Sequence, residues 1–277
     1  MLPPLTVLCV VAALAGAAPA AARAGWSPPH PAREGAPGAE VAVLAAGEGE
    51  PLRVRVRGGD PIAVPGSEGA RGGVAAVGPR GVVVVAWAVL TCEAAERAGD
   101  VRTCGRVLAT RWQSGQNPPA PTRLSRDDGR YATAPAAGVA ADGTVVVAWN
   151  VETEDLELEP LRVDAALARG DGGFSTVEVA HGRGIEALEG VARVGDAAQI
   201  ALSRSVRGKL RVLTVDAAGG RLRRPHTEAA VPDTYALDLR FLRSRRGDRL
   251  LAWEGEKLDR VFVRRGAPGR PLGRRMA

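Results

Sequence analysis

The sequence predicts an all-β protein, a β-propeller of about five four-stranded blades. Three observations predict it: a 19-residue window that recurs five times, an Arg-Val pair on an alternating strand downstream of each window, and a glycine-rich turn after that strand in three copies. Self-similarity at a period of tens of residues is the signature of a repeat architecture, and four antiparallel strands per repeat, arranged radially, describe a propeller blade. A β-sandwich is the runner-up, but a sandwich has no need to restart the same pattern at every fourth strand.

The windows cover residues 26–44, 69–87, 131–149, 183–201 and 235–253. Trp26, Tyr131 and Tyr235 share one column near the start of the first strand and read as aromatics filling gaps between blades. Each window ends in a strand opened by glycine: Gly81 to Trp87, Gly143 to Trp149 and Gly247 to Trp253, with weaker copies from Gly195 to Ala201 and Gly38 to Leu44. The run Val82 to Val85 is continuously apolar and β-branched, so this second strand is expected to be buried on both sides. Trp87, Trp149 and Trp253, at the ends of such strands, read as core.

The third strand carries Arg53-Val54, Arg106-Val107, Arg162-Val163, Arg211-Val212 and Arg260-Val261. Leu52, Val54 and Val56 alternate with Arg53, Arg55 and Arg57, and Leu161, Val163, Ala165 and Leu167 alternate with Arg162 and Asp164, the period of a strand with unlike faces. The arginines are expected to lay their stems over blade surfaces. A turn follows (Gly58-Gly59-Asp60, Asp171-Gly172-Gly173 or Gly219-Gly220), then a short last strand such as Phe174 to Val179.

The chain has 277 residues, 45% apolar, 25% charged and 4% aromatic, enough apolar material for a core. Its 37 basic and 31 acidic side chains give +6, nearly all of it from arginine, since Lys209 and Lys257 are the two lysines. The basic stretch from Arg240 to Arg275 is interrupted by Asp248, Glu254, Glu256 and Asp259 and lacks interleaved aromatics, so no nucleic-acid partner is expected.

Leu5 to Leu14 form a short apolar segment, followed by small residues with A-x-A patterns at Ala18-Pro19-Ala20 and Ala22-Arg23-Ala24. Residues 1–24 are therefore expected to be a signal peptide, cut after Ala20 or Ala24. This leaves a propeller domain over 25–277, secreted or at the cell surface, with no transmembrane segment once the signal is removed. Cys9 leaves with the signal. Cys92 and Cys104 remain, and an even count in an exported chain predicts that they pair.

Two insertions break the repeat. The link from Trp87 to Arg106 holds both cysteines, and the one from Trp149 to Arg162 holds Glu152, Glu154, Asp155, Glu157 and Glu159. Both join second to third strands, so in a blade they share a face with the inter-blade links that carry Asp127, Asp128 and Asp233. The candidate binding face is accordingly Asp127, Asp128, Glu152, Glu154, Asp155, Glu157 and Asp233, suited to a cation, a basic partner or a sugar. A solvated hairpin tip is the other reading. His30, His181 and His226 have no metal-binding spacing, and neither a G-x-S-x-G elbow nor a phosphate loop ending in Lys is present. No cofactor is expected, with calcium at the acidic loop the alternative.

The D-G or G-x-G turn, the V-V-A-W strand and the Gly-Gly turn resemble the secreted propeller repeats related to sialidases and their Asp-box (BNR) relatives. The resemblance covers most of residues 26–272 and implies a shared fold. The segment Ser125 to Tyr131 is a partial match to the Asp box, although it falls after the fourth strand rather than between the third and fourth. Sialidase chemistry in that family uses three arginines, a tyrosine with its glutamate and an acidic donor. Tyr131 and Tyr235, the two tyrosines, are repeat-equivalent and are not assigned to it. The expected function is an exported, non-catalytic binding or scaffold module for an extracellular protein or glycan; the alternative is a sialidase-like glycan-processing hydrolase.

Overall fold

The computed structural model describes residues 40–44, 49–89, 105–126, 130–152, 162–182, 184–207, 209–230, 237–243, 248–254, 261–267 and 273. Their regular structure is entirely β, without helix among the described residues. Five separate antiparallel sheets follow one another along the chain. The first holds β1 (Val41–Leu44), β2 (Arg53–Val56) and β3 (Ile62–Ala63). The second is β4 (Ala70–Val77), β5 (Val82–Val89), β6 (Arg106–Gln113) and β7 (Thr122–Arg123); the third is β8 (Tyr131–Val139), β9 (Val145–Glu152), β10 (Arg162–Ala168) and β11 (Ser175–His181). The fourth comprises β12 (Ile185–Val194), β13 (Ala197–Val206) and β14 (Lys209–Ala218), with β15 (Arg221–Leu222) and β16 (His226–Ala230) both pairing β14. The fifth is β17 (Leu237–Arg243), β18 (Arg249–Glu254) and β19 (Val261–Gly266).

The repeat read from the sequence maps onto these sheets. Second strands end at or just beyond the window ends, and the Arg-Val valines pair back onto them: Val107 opposite Ala88, Val163 opposite Asn150 and Val261 opposite Glu254, each one residue past the tryptophan. The glycine column has a backbone reason. Gly81, Gly143 and Gly195 adopt φ of 78°, 85° and 57° in the turn between first and second strands, a left-handed conformation that glycine enters without a Cβ penalty.

Successive sheets pack face to face in chain order. Val83, Val85 and Trp87 of β5 join Val43, Leu52 and Val54 of the first sheet in one cluster, while Val84 and Ala86 join Val145, Val147 and Trp149 of the third sheet in another. Val146 and Ala148 of β9 then meet Ile200 and Val215 of the fourth. Alternate residues of one strand thus serve two neighbours, which explains the continuous apolar runs. Trp87 and Trp149 are fully buried and equivalent, each on the face toward the preceding sheet. The side chain of Trp253 lies outside the described residues.

The alternation along β10 predicts a strand with unlike faces, yet Arg162 to Ala168 is buried throughout. The second and fourth sheets cover its two sides, so its polar residues are enclosed rather than solvated.

The first strands carry two further repeated features. Each of β4, β8, β12 and β17 has an extra residue near the tryptophan column: between Ala70 and Gly73, Thr133 and Ala136, Leu188 and Gly190, and Leu237 and Arg240. Such bulges bend a strand and increase its twist. The first strands also come very close to neighbouring sheets. A Cβ on Gly73 would stand 2.6 Å from Leu52 Cδ1, and one on Gly138 would stand 2.5 Å from Val191 Cγ1 of β12. Glycine is required there by space. Five successive sheets packed in chain order, rather than a closed barrel or ring, are what the described residues establish.

Candidate functional site

Of the residues read from the sequence as a binding face, Glu152 lies within the described residues; Asp127, Asp128, Glu154, Asp155, Glu157 and Asp233 lie outside them, as do Cys92, Cys104 and the segment 1–24. Glu152 ends β9 opposite Tyr131 and is half-buried. Its Oε1 accepts a hydrogen bond from the Thr133 hydroxyl at 2.8 Å. Two residues earlier on the same face, the buried Asn150 uses Oδ1 to accept the backbone N–H of Leu188 at 2.9 Å, which ties β9 to β12 of the next sheet. Glu189 follows at the β12 bulge and is itself buried. Polar side chains therefore gather where the third and fourth sheets meet, at the sheet end from which second strands pass to third.

At the same end, Arg162 Nε donates to both carboxylate oxygens of Asp164 at 3.0 Å. The two side chains are 9% and 0% exposed, so the pair is enclosed. Burial pushes the Asp164 carboxyl above its ordinary value, and the charge and hydrogen bond of Arg162 and the charge of Arg126 pull the other way without cancelling it. The Arg-Val arginines were expected to cover surfaces with their stems. Arg53 is exposed and Arg106 and Arg211 are half-buried, whereas Arg162 is inside, held by a carboxylate two residues on.

The opposite end of the sheets carries ties that sequence reading missed. Arg111 of β6 reaches the turn after β10, donating to the carbonyls of Gly170 and Gly172, and stands 6.0 Å from the Phe174 ring centroid. Asp142, in the turn between β8 and β9, accepts N–H groups from Thr144 at 2.9 Å and from Gly219 at 2.8 Å. Burial raises its carboxyl, but those bonds, the Thr144 hydroxyl and the nearby Arg169 outweigh it and hold it below the usual carboxylate value. The buried Glu228 of β16 accepts from Arg249 Nη1 of β18 at 2.6 Å and lies 2.6 Å from His226 Nε2, joining the fourth and fifth sheets. The one legible signal was an Asp directly before the column glycine Gly143, where an Asx turn forms.

Two buried charge pairs, Arg162 with Asp164 and Arg249 with Glu228, are spent on one another. Glu152, half-buried, lies at the end where second strands pass to third.

No family model matches the chain, and no curated protein matches it. Among solved structures, a protein of unknown function from Dyadobacter fermentans is similar over 86% of this chain and 72% of its own, at 12% identity and a TM-score of 0.51. A Hadza microbial sialidase is similar over 80% of this chain at 12% identity and a TM-score of 0.45, and this chain spans 53% of its length. An ulvan lyase, a polysaccharide lyase, is similar over 80% of this chain and 59% of its own, at 9% identity and a TM-score of 0.46. At these identities the likeness reaches the fold alone: an all-β chain of several antiparallel sheets, shared in outline with the Dyadobacter protein.

Proposed function

We propose that the protein is an exported, non-catalytic five-bladed β-propeller that binds an extracellular protein or glycan on the face carrying Glu152 and the 88–105 and 151–159 connections. The observation that carries this reading is the order of contacts among first strands. β4 touches β8, β8 touches β12 and β12 touches β17, so the same strand of each repeat meets its counterpart in the next. Radial packing brings first strands together around an axis, and the close approach of Gly138 on β8 to Val191 on β12 suits such convergence. A signal peptide over 1–24 and a Cys92–Cys104 disulfide belong to the same reading. Closing that loop is worth about 3 kcal/mol in the chain-entropy model.

Irregular insertions on a repetitive scaffold carry individuality, which favours this face over the one with short turns. The internal pairing of Arg162 with Asp164 and of Arg249 with Glu228 favours a rigid binding scaffold over a catalytic centre. The test is a glycan-array and extracellular-protein screen of the chain from residue 25, with and without calcium. Substituting Glu154→Ala with Asp155→Ala is expected to weaken the hit at least tenfold with the fold intact. Unchanged affinity, or turnover of a fluorogenic sialoside lost in Tyr131→Phe, would overturn the proposal.

A further inference from the structure

The Arg-Val column holds one arginine in each repeat, and in two adjacent repeats its charge is treated in opposite ways. In the third, Arg162 faces the second sheet with Asp164 two residues on, and the carboxylate neutralises it. In the fourth, the position two residues after Arg211 is Leu213. Arg211 Nε is enclosed without a hydrogen-bond partner, and the side chain is half-buried.

A second arginine compounds this. Arg204 of β13 is directly opposite Arg211 in the β13–β14 ladder, and Lys209 is opposite Val206 one hairpin step away. Directly opposed residues have Cβ atoms about 5 Å apart, and like charges so placed destabilise a sheet. Both arginines share a face with Ile200 and Val215, each four residues along its strand, which pack on Ala148 and Val163 of the third sheet. The pair therefore looks into the upper end of the crevice between the third and fourth sheets. A Cβ on Gly182, in the link between these sheets, would lie 3.9 Å from an Arg204 Nη, so the guanidinium rests over bare backbone. No ion pair or hydrogen bond from either guanidinium is formed among the described residues.

We infer that Arg204 and Arg211 form a carboxylate-binding site whose ligand is an acidic side chain of a peptide. Guanidinium groups match carboxylates in geometry and charge, and a carboxylate between two opposed arginines turns their repulsion into attraction. The neighbouring repeat indicates the ligand's chemistry, because the group that satisfies Arg162 is the carboxylate of an aspartate. The site needs only the third and fourth sheets and does not rest on ring closure or on the acidic connection.

A fluorescein-labelled hexaglutamate peptide titrated into the protein at low ionic strength, read by anisotropy, tests this. Binding should weaken at least tenfold in Arg204→Gln and in Arg211→Gln and stay within twofold in Arg193→Gln, which removes one charge from β12 at the other end of the same sheet. Leu213→Asp copies the Asp164 arrangement and should also weaken binding at least tenfold by filling the site from within; far-UV circular dichroism confirms that each variant is folded. Absence of binding to the wild-type protein, equal loss in Arg193→Gln, or full binding by Leu213→Asp would overturn the inference. Preference for a galacturonate hexamer of equal charge would overturn the peptide assignment.

Discussion

Asp142 Oδ2 accepts the backbone N–H of Gly219 at 2.8 Å, joining positions 77 residues apart and tying the third sheet to the fourth. The neighbouring Gly220 N–H donates to the Thr144 hydroxyl at 3.1 Å, so a single Asp-Gly-Thr turn holds the turn between β14 and β15.

Substituting Asp142→Asn leaves one oxygen for two backbone donors and should cost about 1 kcal/mol at pH 7. Because the folded carboxyl is held below its ordinary value of 3.8, its contribution is present above that pH and is lost as pH falls through the lower folded value. Urea melts of both proteins should therefore differ at pH 7 and converge as the pH falls well below 3.8, while a constant difference across this range would contradict the account.

Asp164 predicts the opposite sign. Burial raises its folded value, so the protonated form is favoured in the folded state and this group's contribution diminishes as pH rises through the window above 3.8. Removing the carboxylate alone, in Asp164→Leu, strands a buried guanidinium and should cost about 3–5 kcal/mol. The double change Arg162→Leu with Asp164→Leu should recover most of that loss. A double variant less stable than the single one would show that the pair contributes more than mutual neutralisation.

Gly138 predicts a steric test of how closely the first strands approach. Gly138→Ala should destabilise by about 1–3 kcal/mol, since the added Cβ would meet Val191 Cγ1 at 2.5 Å. Pairing it with Val191→Ala removes the obstructing methyl groups and should give a smaller loss than the sum of the two single changes. Additive losses in thermal melts would place the two residues out of contact.

What the sequence made legible were features carried by one strand at a time. The continuous run Val82 to Val85 signalled burial on both faces because no polar residue interrupts it, and the glycine column signalled a left-handed turn. The first-strand bulges left no such mark, because a bulge is a mismatch between two strands: Ala134 and Pro135 look ordinary until Thr133 and Ala136 are seen opposite Asn150 and Ala148. Arg162 and Asp164 were visible as alternate strand residues, but their enclosure depends on a neighbouring sheet that lies far away in sequence. The acidic connection was legible as a charge cluster, and within it Glu152 alone can be placed, half-buried and bonded to Thr133.

The central claim, that the five sheets close into a ring, is tested most directly by one distance. Spin labels at Arg53→Cys on β2 and Arg265→Cys on β19, both exposed positions, would be measured by double electron–electron resonance with Cys92 and Cys104 changed to Ser. The pair Arg53→Cys and Gln113→Cys, on adjacent sheets, serves as a ruler. A closed ring makes the first and fifth sheets neighbours, so the 53–265 separation should fall within about 10 Å, one face-to-face sheet spacing, of the ruler. A separation near 40 Å, roughly four such spacings, would mean an open array and would contradict the propeller.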